Sequence, residues 1–174
     1  LLLDSITGPL GAREGLRDTP ARVAKAWQHW TKGYGEDPAD ILKTFEDGAE
    51  GYTEMVAVVN IPFYSTCEHH LAPIFGTATV AYVPNGRVVG LSKLNRLVDC
   101  FARRLQVQER ATQQITKALQ QHLKAHGAAC RIRARHMCME SRGICQQGHH
   151  TVTLSTTGVF ELPTMSYRAE FLAL

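Results

Sequence analysis

The chain has 174 residues, 44% hydrophobic and 20% charged, a composition that suits one folded domain and argues against a disordered or membrane-embedded chain. With 19 basic against 16 acidic residues the net charge is only +3, which gives no reason to expect a nucleic-acid partner but leaves room for a small anionic ligand. Leu1-Leu2-Leu3 meets Asp4 too soon for a secretory signal or a spanning helix, so a cytoplasmic protein with no membrane partner is expected.

In chain order, Asp18-Thr19-Pro20 predicts a helix start, with Asp18 as the capping side chain and proline in the first turn. That helix runs to about Lys32, with Val23, Ala26, Trp27 and Trp30 as its expected buried stripe and Arg22 and Lys25 on another face. A shorter helix is expected around 39–44. Glu54 to Phe63 and Gly76 to Val83 read as strands, and Pro84-Asn85-Gly86 as the turn after the second. The aperiodic stretch between them, Tyr64 to Ile74, is dense in Cys, His and Glu and is read as a site-bearing loop.

Leu91, Leu94, Leu97, Val98 and Phe101, then Val107, Ala111, Ile115, Leu119 and Leu123, predict a helical hairpin. From Ala129 to Met139 the residues alternate, with Cys130, Ile132, Ala134, His136 and Cys138 on one face and Arg131, Arg133 and Arg135 on the other. A last strand over Thr151 to Phe160 and a closing helix over Thr164 to Leu172 complete the reading. Strands, a helical hairpin and further strands without regular alternation predict an α+β fold, an antiparallel sheet with helices on one side. Residues 1–50 read as an N-terminal helical segment and 51–174 as the catalytic part of one continuous domain.

Five cysteines, Cys67, Cys100, Cys130, Cys138 and Cys145, show no disulfide spacing. Cys100, Cys130 and Cys145 are read as structural. Cys67 and His70, three apart, could converge on one ion, and Cys138 supplies a third ligand of the kind zinc prefers. Three protein ligands are one short of a closed site, which favours a catalytic metal with room for water. His69 and His136 stand beside them as candidate proton carriers. The other reading has one of these histidines complete a Cys2His2 structural site.

Ser92-Lys93 at a helix start, Arg96 three residues on, Arg142 after the metal segment, and the Arg22/Lys25 pair are either solvated surface or contacts for a polyphosphate. Gln108-Glu109 opens the second hairpin helix. A carboxylate there suits the helix dipole, and it can equally accept the paired donors on the N1 and exocyclic-amine edge of guanine.

Taken together, Gly15 to Pro20, Ser65 to His70, Gly90 to Lys93, Gln106 to Arg110, His136 to Met139 and Arg142-Gly143 resemble the GTP cyclohydrolase I family in its order of motifs. The resemblance implies the tunnelling fold, a homo-oligomer, specifically a decamer with active sites at subunit interfaces, and GTP as substrate. It implies hydrolysis of GTP to 7,8-dihydroneopterin triphosphate and formate, the first step of pterin and tetrahydrofolate synthesis. It further implies Zn2+ on Cys67, His70 and Cys138, and His69 and His136 as proton-transfer residues. Glu109 and Gln108 would meet guanine, with Ser92, Lys93, Arg96, Arg142, Arg22 and Lys25 on ribose and triphosphate. The sequence departs from the family pattern at Gly148-His149-His150. The competing readings are a related enzyme acting on another purine or pterin, and a non-catalytic module with a structural zinc.

Overall fold

The β-branched run beginning at Val56 forms the longest strand, and the rest of the sheet is built around it. The computed structural model describes residues 2–8, 13–46 and 50–174. Its helices are α1 (Leu2–Thr7), α2 (Thr19–Trp30), α3 (Pro38–Ile41), α4 (Leu91–Ala102), α5 (Gln108–Leu123), α6 (Met137–Glu140) and α7 (Tyr167–Ala173). Its strands are β1 (Thr44–Phe45), β2 (Val56–Cys67), β3 (Pro73–Val83), β4 (Val88–Val89), β5 (Leu105–Gln106), β6 (Gly127–His136) and β7 (Thr151–Gly158). The segment division drawn near residue 50 adjoins residues 47–49, which lie outside the described residues, as does Leu1 of the opening leucine run.

Five strands form one sheet in the order β5-β2-β3-β6-β7, and β1 pairs with β4 in a separate two-stranded ribbon. All neighbours in the large sheet are antiparallel except β2 and β5, which run parallel through Thr66↔Leu105 and Cys67↔Gln106. Close approach of β3 to β6 needs a residue without a side chain at Gly76, where a β-carbon would fall 2.1 Å from the Arg133 carbonyl oxygen.

Alternation in the strands divides the core between the two sheet faces. Val80, Tyr82, Cys130 and Ile132 point to the face covered by α4 and α5, where Leu94, Leu97, Ile115 and Leu119 are fully buried. Each such aliphatic side chain contributes about 1.5–3 kcal/mol relative to leaving it exposed. Ala81, Val83 and Ala129 point the other way, onto Phe160 and Phe171. The closing helix α7 therefore lies across the sheet from the hairpin, so the expectation of helices on one side holds for α4 and α5 but not for α7.

Hydroxyls also line the contact of α5 with β7. Thr112 and Thr116 are buried and donate to the carbonyls four residues back, at 2.7 and 3.0 Å. Thr112 also meets the Thr153 hydroxyl at 2.6 Å, Thr116 reaches the Ser155 carbonyl at 3.3 Å, and Thr157 donates to Gln120 at 3.0 Å.

Several expectations are corrected. The α2 stripe is only partly buried: Val23 is 45% and Trp30 44% exposed, because Trp27 and Trp30 border an open cleft with Tyr64, Leu71, Pro73 and Phe75 instead of a closed core. Asp18 does not cap α2 with its side chain, which instead pairs with Arg22 at 3.3 Å. The helix expected over 39–44 stops at Ile41, and Thr44 joins β1. Leu91, expected on the buried face of its helix, is 60% exposed at the first position of α4. The strand expected to end at Phe63 continues to Cys67, held on both sides by β3 and β5, so the loop shrinks to 68–72. The strand expected to reach Met139 ends at His136.

Candidate metal centre and active site

The extension of β2 to Cys67 makes the Cys-Glu-His-His segment a tight turn between two strands. The Cys67 amide donates to Ala72 O at 2.8 Å and the Leu71 amide to Cys67 O at 2.9 Å, while Leu71 adopts a left-handed φ of 53°. Glu68 N donates to Gln106 O at 3.1 Å, tying the turn to the segment that leads into α5. Across the sheet, Ile74 pairs with His136. That register brings the end of β6 to the turn, and the chain then coils into α6, which carries Cys138. Cys138 thus reaches the site from a one-turn helix instead of from the strand face that alternation had assigned to it.

The ligand atoms of Cys67, His70 and Cys138 all lie within 4.8 Å of one another, and Cys67 Sγ is 3.8 Å from His70 Nδ1. A tetrahedral zinc with bonds of about 2.3 Å to sulfur and 2.0–2.1 Å to nitrogen needs edges of about 3.6–3.8 Å between such atoms. The cluster therefore has the size and donor set of a zinc site, with Cys67 buried, Cys138 half-buried and His70 exposed on the open side. Burial, followed by the neighbouring Cys67 sulfur, pushes the Cys138 thiol above its ordinary pKa. A bound metal ion would favour the Cys138 thiolate that these surroundings disfavour.

His136 is close to the cluster without joining it. Its Nε2 lies 2.7 Å from Gln108 Oε1. Burial is the main cause holding the His136 pKa below the ordinary imidazole value; Glu109 opposes that shift and His149 adds to it. His69 is next to Glu68, with 3.8 Å between Nε2 and Oε1. Arg142 Nη1 is 3.1 Å from His70 Nε2 and donates to Cys138 O at 3.4 Å, so it touches the segments of two metal-ligand candidates. Glu109, exposed in the first turn of α5, acts electrostatically on His136.

The remaining predicted contacts are not drawn into this group. Ser92 and Lys93 occupy the first turn of α4, and Arg96 lines a separate cleft with Lys32, Glu36 and Asp99. Arg22 pairs with Asp18, and Lys25 is exposed on α2. Among the described residues, no hydrogen bond or ion pair joins these five side chains to the Cys67-His70-Cys138 cluster.

Glu68 has the role that sequence reasoning did not find. Arg110 donates to its two carboxylate oxygens at 2.6 and 3.0 Å, fastening the metal turn to α5. This bond, with the Arg110 charge, holds Glu68 below the usual carboxylate range. Both residues stood in motif segments, but their pairing spans 42 positions and is set by the parallel contact of β2 with β5. Arg135 makes a comparable pair with Glu140 of α6, donating to Oε1 at 2.8 Å. Arg135 thereby anchors the helix that carries Cys138.

The GTP cyclohydrolase I family model matches residues 3–174. GTP cyclohydrolase 1 from Janthinobacterium sp. (strain Marseille) is 61% identical over 163 residues, 93% of this chain and 81% of that protein. The protein of the same name from Nitrosospira multiformis is 59% identical over 164 residues, 94% of this chain and 85% of its own length. That from Brucella canis is 54% identical over 149 residues, 86% and 70% of the two lengths. A solved structure described as the archaeosine synthase QueF-Like in the apo form covers 60% of this chain and 93% of its own at 13% identity and a TM-score of 0.47, a likeness too slight to carry an argument. Matched along nearly its whole length, and carrying the Cys67, His70 and Cys138 cluster beside His136 and Glu109, the chain belongs to the GTP cyclohydrolase I family.

Proposed function

We propose that this chain is a zinc-dependent GTP cyclohydrolase that opens the five-membered ring of guanine in GTP, releases C8 as formate and yields 7,8-dihydroneopterin triphosphate. The observation that carries the reading is the convergence of Cys67, His70 and Cys138 at zinc-site spacing, with His136 held beside the cluster by another residue. Zinc held by those three residues would supply a Lewis acid and acidify water for attack at C8.

The protein's residues do the rest. Glu109 accepts the N1 and exocyclic-amine donors of guanine and thereby orients the base. His136, whose pKa burial holds below the ordinary imidazole value, exchanges protons with the purine ring, and His69 serves the water side. Arg142 approaches the triphosphate from the metal side, while Ser92, Lys93, Arg96, Arg22 and Lys25 complete the anion's contacts.

Ser92, Lys93, Arg96, Arg22 and Lys25 lie apart from the cluster within one chain, and the apolar side chains of α2 are only partly covered. Both observations support assembly into a homo-oligomer, a decamer in this reading, with each site completed by a neighbouring copy. The fold is read as the tunnelling type, with residues 51–174 as its catalytic part and 1–50 as an N-terminal helical segment. Among the described residues, no helix is long and apolar enough to cross a membrane, and the proposed location is the cytoplasm.

The test is incubation of zinc-loaded protein with GTP, following formate and, after oxidation, fluorescent pterin, alongside metal analysis. Formate and pterin in equal amounts are expected. A zinc-loaded protein that yields neither overturns the reading.

A further inference from the structure

Gln108 opens α5, is 1% exposed, and has every side-chain hydrogen-bonding group engaged within the chain. Its Nε2 lies 3.1 Å from Ile132 O, 3.1 Å from Thr151 O and 3.0 Å from Thr153 Oγ1, and its Oε1 lies 2.7 Å from His136 Nε2. Two of the partners on the nitrogen side are backbone carbonyls, which only accept. Turning the amide over would set its oxygen against both of them, so the nitrogen must occupy that side.

The neighbouring hydroxyls are consistent with this direction. Thr112 uses its proton on Gln108 O at 2.7 Å, so the 2.6 Å contact between Thr112 and Thr153 carries the Thr153 proton. The Thr153 oxygen is then free to accept from Gln108 Nε2. With the amide fixed, Oε1 faces His136, and an amide oxygen can only accept. His136 Nε2 must therefore carry a hydrogen.

We propose that Gln108 is a positioning residue that holds His136 in the Nε2–H tautomer and in one orientation, leaving Nδ1 as the only nitrogen of the neutral ring that can take a proton. Gln108 reads β6 through Ile132 and β7 through Thr151 and Thr153, so the imidazole is registered against α5 and two strands at once. This role acts through His136 and replaces direct contact between the Gln108 side chain and substrate. It rests on the proton-transfer role of His136 given above.

The experiment uses zinc-loaded protein labelled with 15N-histidine. Subtracting the nitrogen NMR spectrum of His136→Asn from that of the wild type isolates the His136 ring. A protonated Nε2 and a bare Nδ1 are expected in the wild type, and a mixed or reversed pattern in Gln108→Met. Gln108→Met should also retain its zinc and keep its KM for GTP while kcat falls roughly 100-fold, the scale of one misaligned general acid–base. Thr153→Val leaves Gln108 in place and removes one acceptor from its amide. It should give a partial tautomer shift with a smaller loss of kcat, and it provides the measurement if Gln108→Met does not fold.

An unchanged Nε2–H pattern in both variants, or a raised KM with normal kcat, overturns the proposal. Because the spectrum reads the ring without turnover, a wild type inactive on GTP would count against the functional reading alone.

Discussion

Replacing Cys138 by alanine should separate an open metal site from a closed one. The three ligand atoms already lie within 4.8 Å, and Cys67 is held by its own backbone bond to Ala72, so the change deletes a donor while the rest of the site stays in position. A four-ligand zinc site of about 10–16 kcal/mol assigns each ligand about 3–4 kcal/mol, or roughly a 100- to 1000-fold loss of affinity. Competition against a chromophoric chelator measures it, with His136→Asn as the control. The control should bind zinc as the wild type does, because His136 Nε2 is committed to Gln108. Wild-type affinity in Cys138→Ala, or lost metal in His136→Asn, would refute the three-ligand assignment.

Glu109→Gln should lose at least about 2 kcal/mol of kcat/KM for GTP, because one acceptor of a paired, charge-assisted contact becomes a donor facing a donor; steady-state kinetics check this, and near-normal values remove Glu109 from guanine binding. Gly76→Ala should destabilise the fold by about 1–3 kcal/mol, since the new carbon meets backbone at 2.1 and 2.5 Å and β3 must move away from β6; an unchanged urea midpoint would contradict that. Asp99 bonds Lys32 at 2.6 Å and Arg103 at 2.9 Å. Burial alone would raise its pKa, but those two partners outweigh it and the value falls below the ordinary one. The stability this adds is present above the ordinary carboxylate pKa of about 4 and is lost as pH falls through the lowered folded value. Asp99→Asn should therefore show a shallower decline in urea midpoint over that acid range, and identical curves for the two proteins would count against it.

The site was legible to the extent that its chemistry is local. Cys67 and His70 could be paired from their spacing, and Cys138 from its residue type, whereas Glu68 could not be assigned because its partner Arg110 is brought to it by strand pairing. Alternation correctly set Cys130, Ile132 and Ala134 on the buried face of β6 but was carried three residues too far, to Met139. The helix α6 that ends it is anchored by the Arg135–Glu140 pair, which no hydrophobic pattern records. Helical periodicity likewise found α2 but not the fate of its tryptophans, since a 3.6-residue repeat marks an apolar stripe without saying what covers it. The threonines of α5 that face β7 were missed because a buried hydroxyl bonded to its own helix looks like a surface residue in a hydropathy pattern.

The pairing of Ile74 with His136 also bears on how the protein matures. These residues are about sixty positions apart, so their contact is among the non-local ones that slow folding and form after local turns. The Cys67–His70 turn can close on its own, but Cys138 arrives only when β6 has zipped along β3. Before that pairing the turn brings together only two of the three donors of the cluster. In the proposed zinc enzyme the three-donor site would therefore be complete only once β6 has paired with β3, which ties metal affinity to the formation of the sheet.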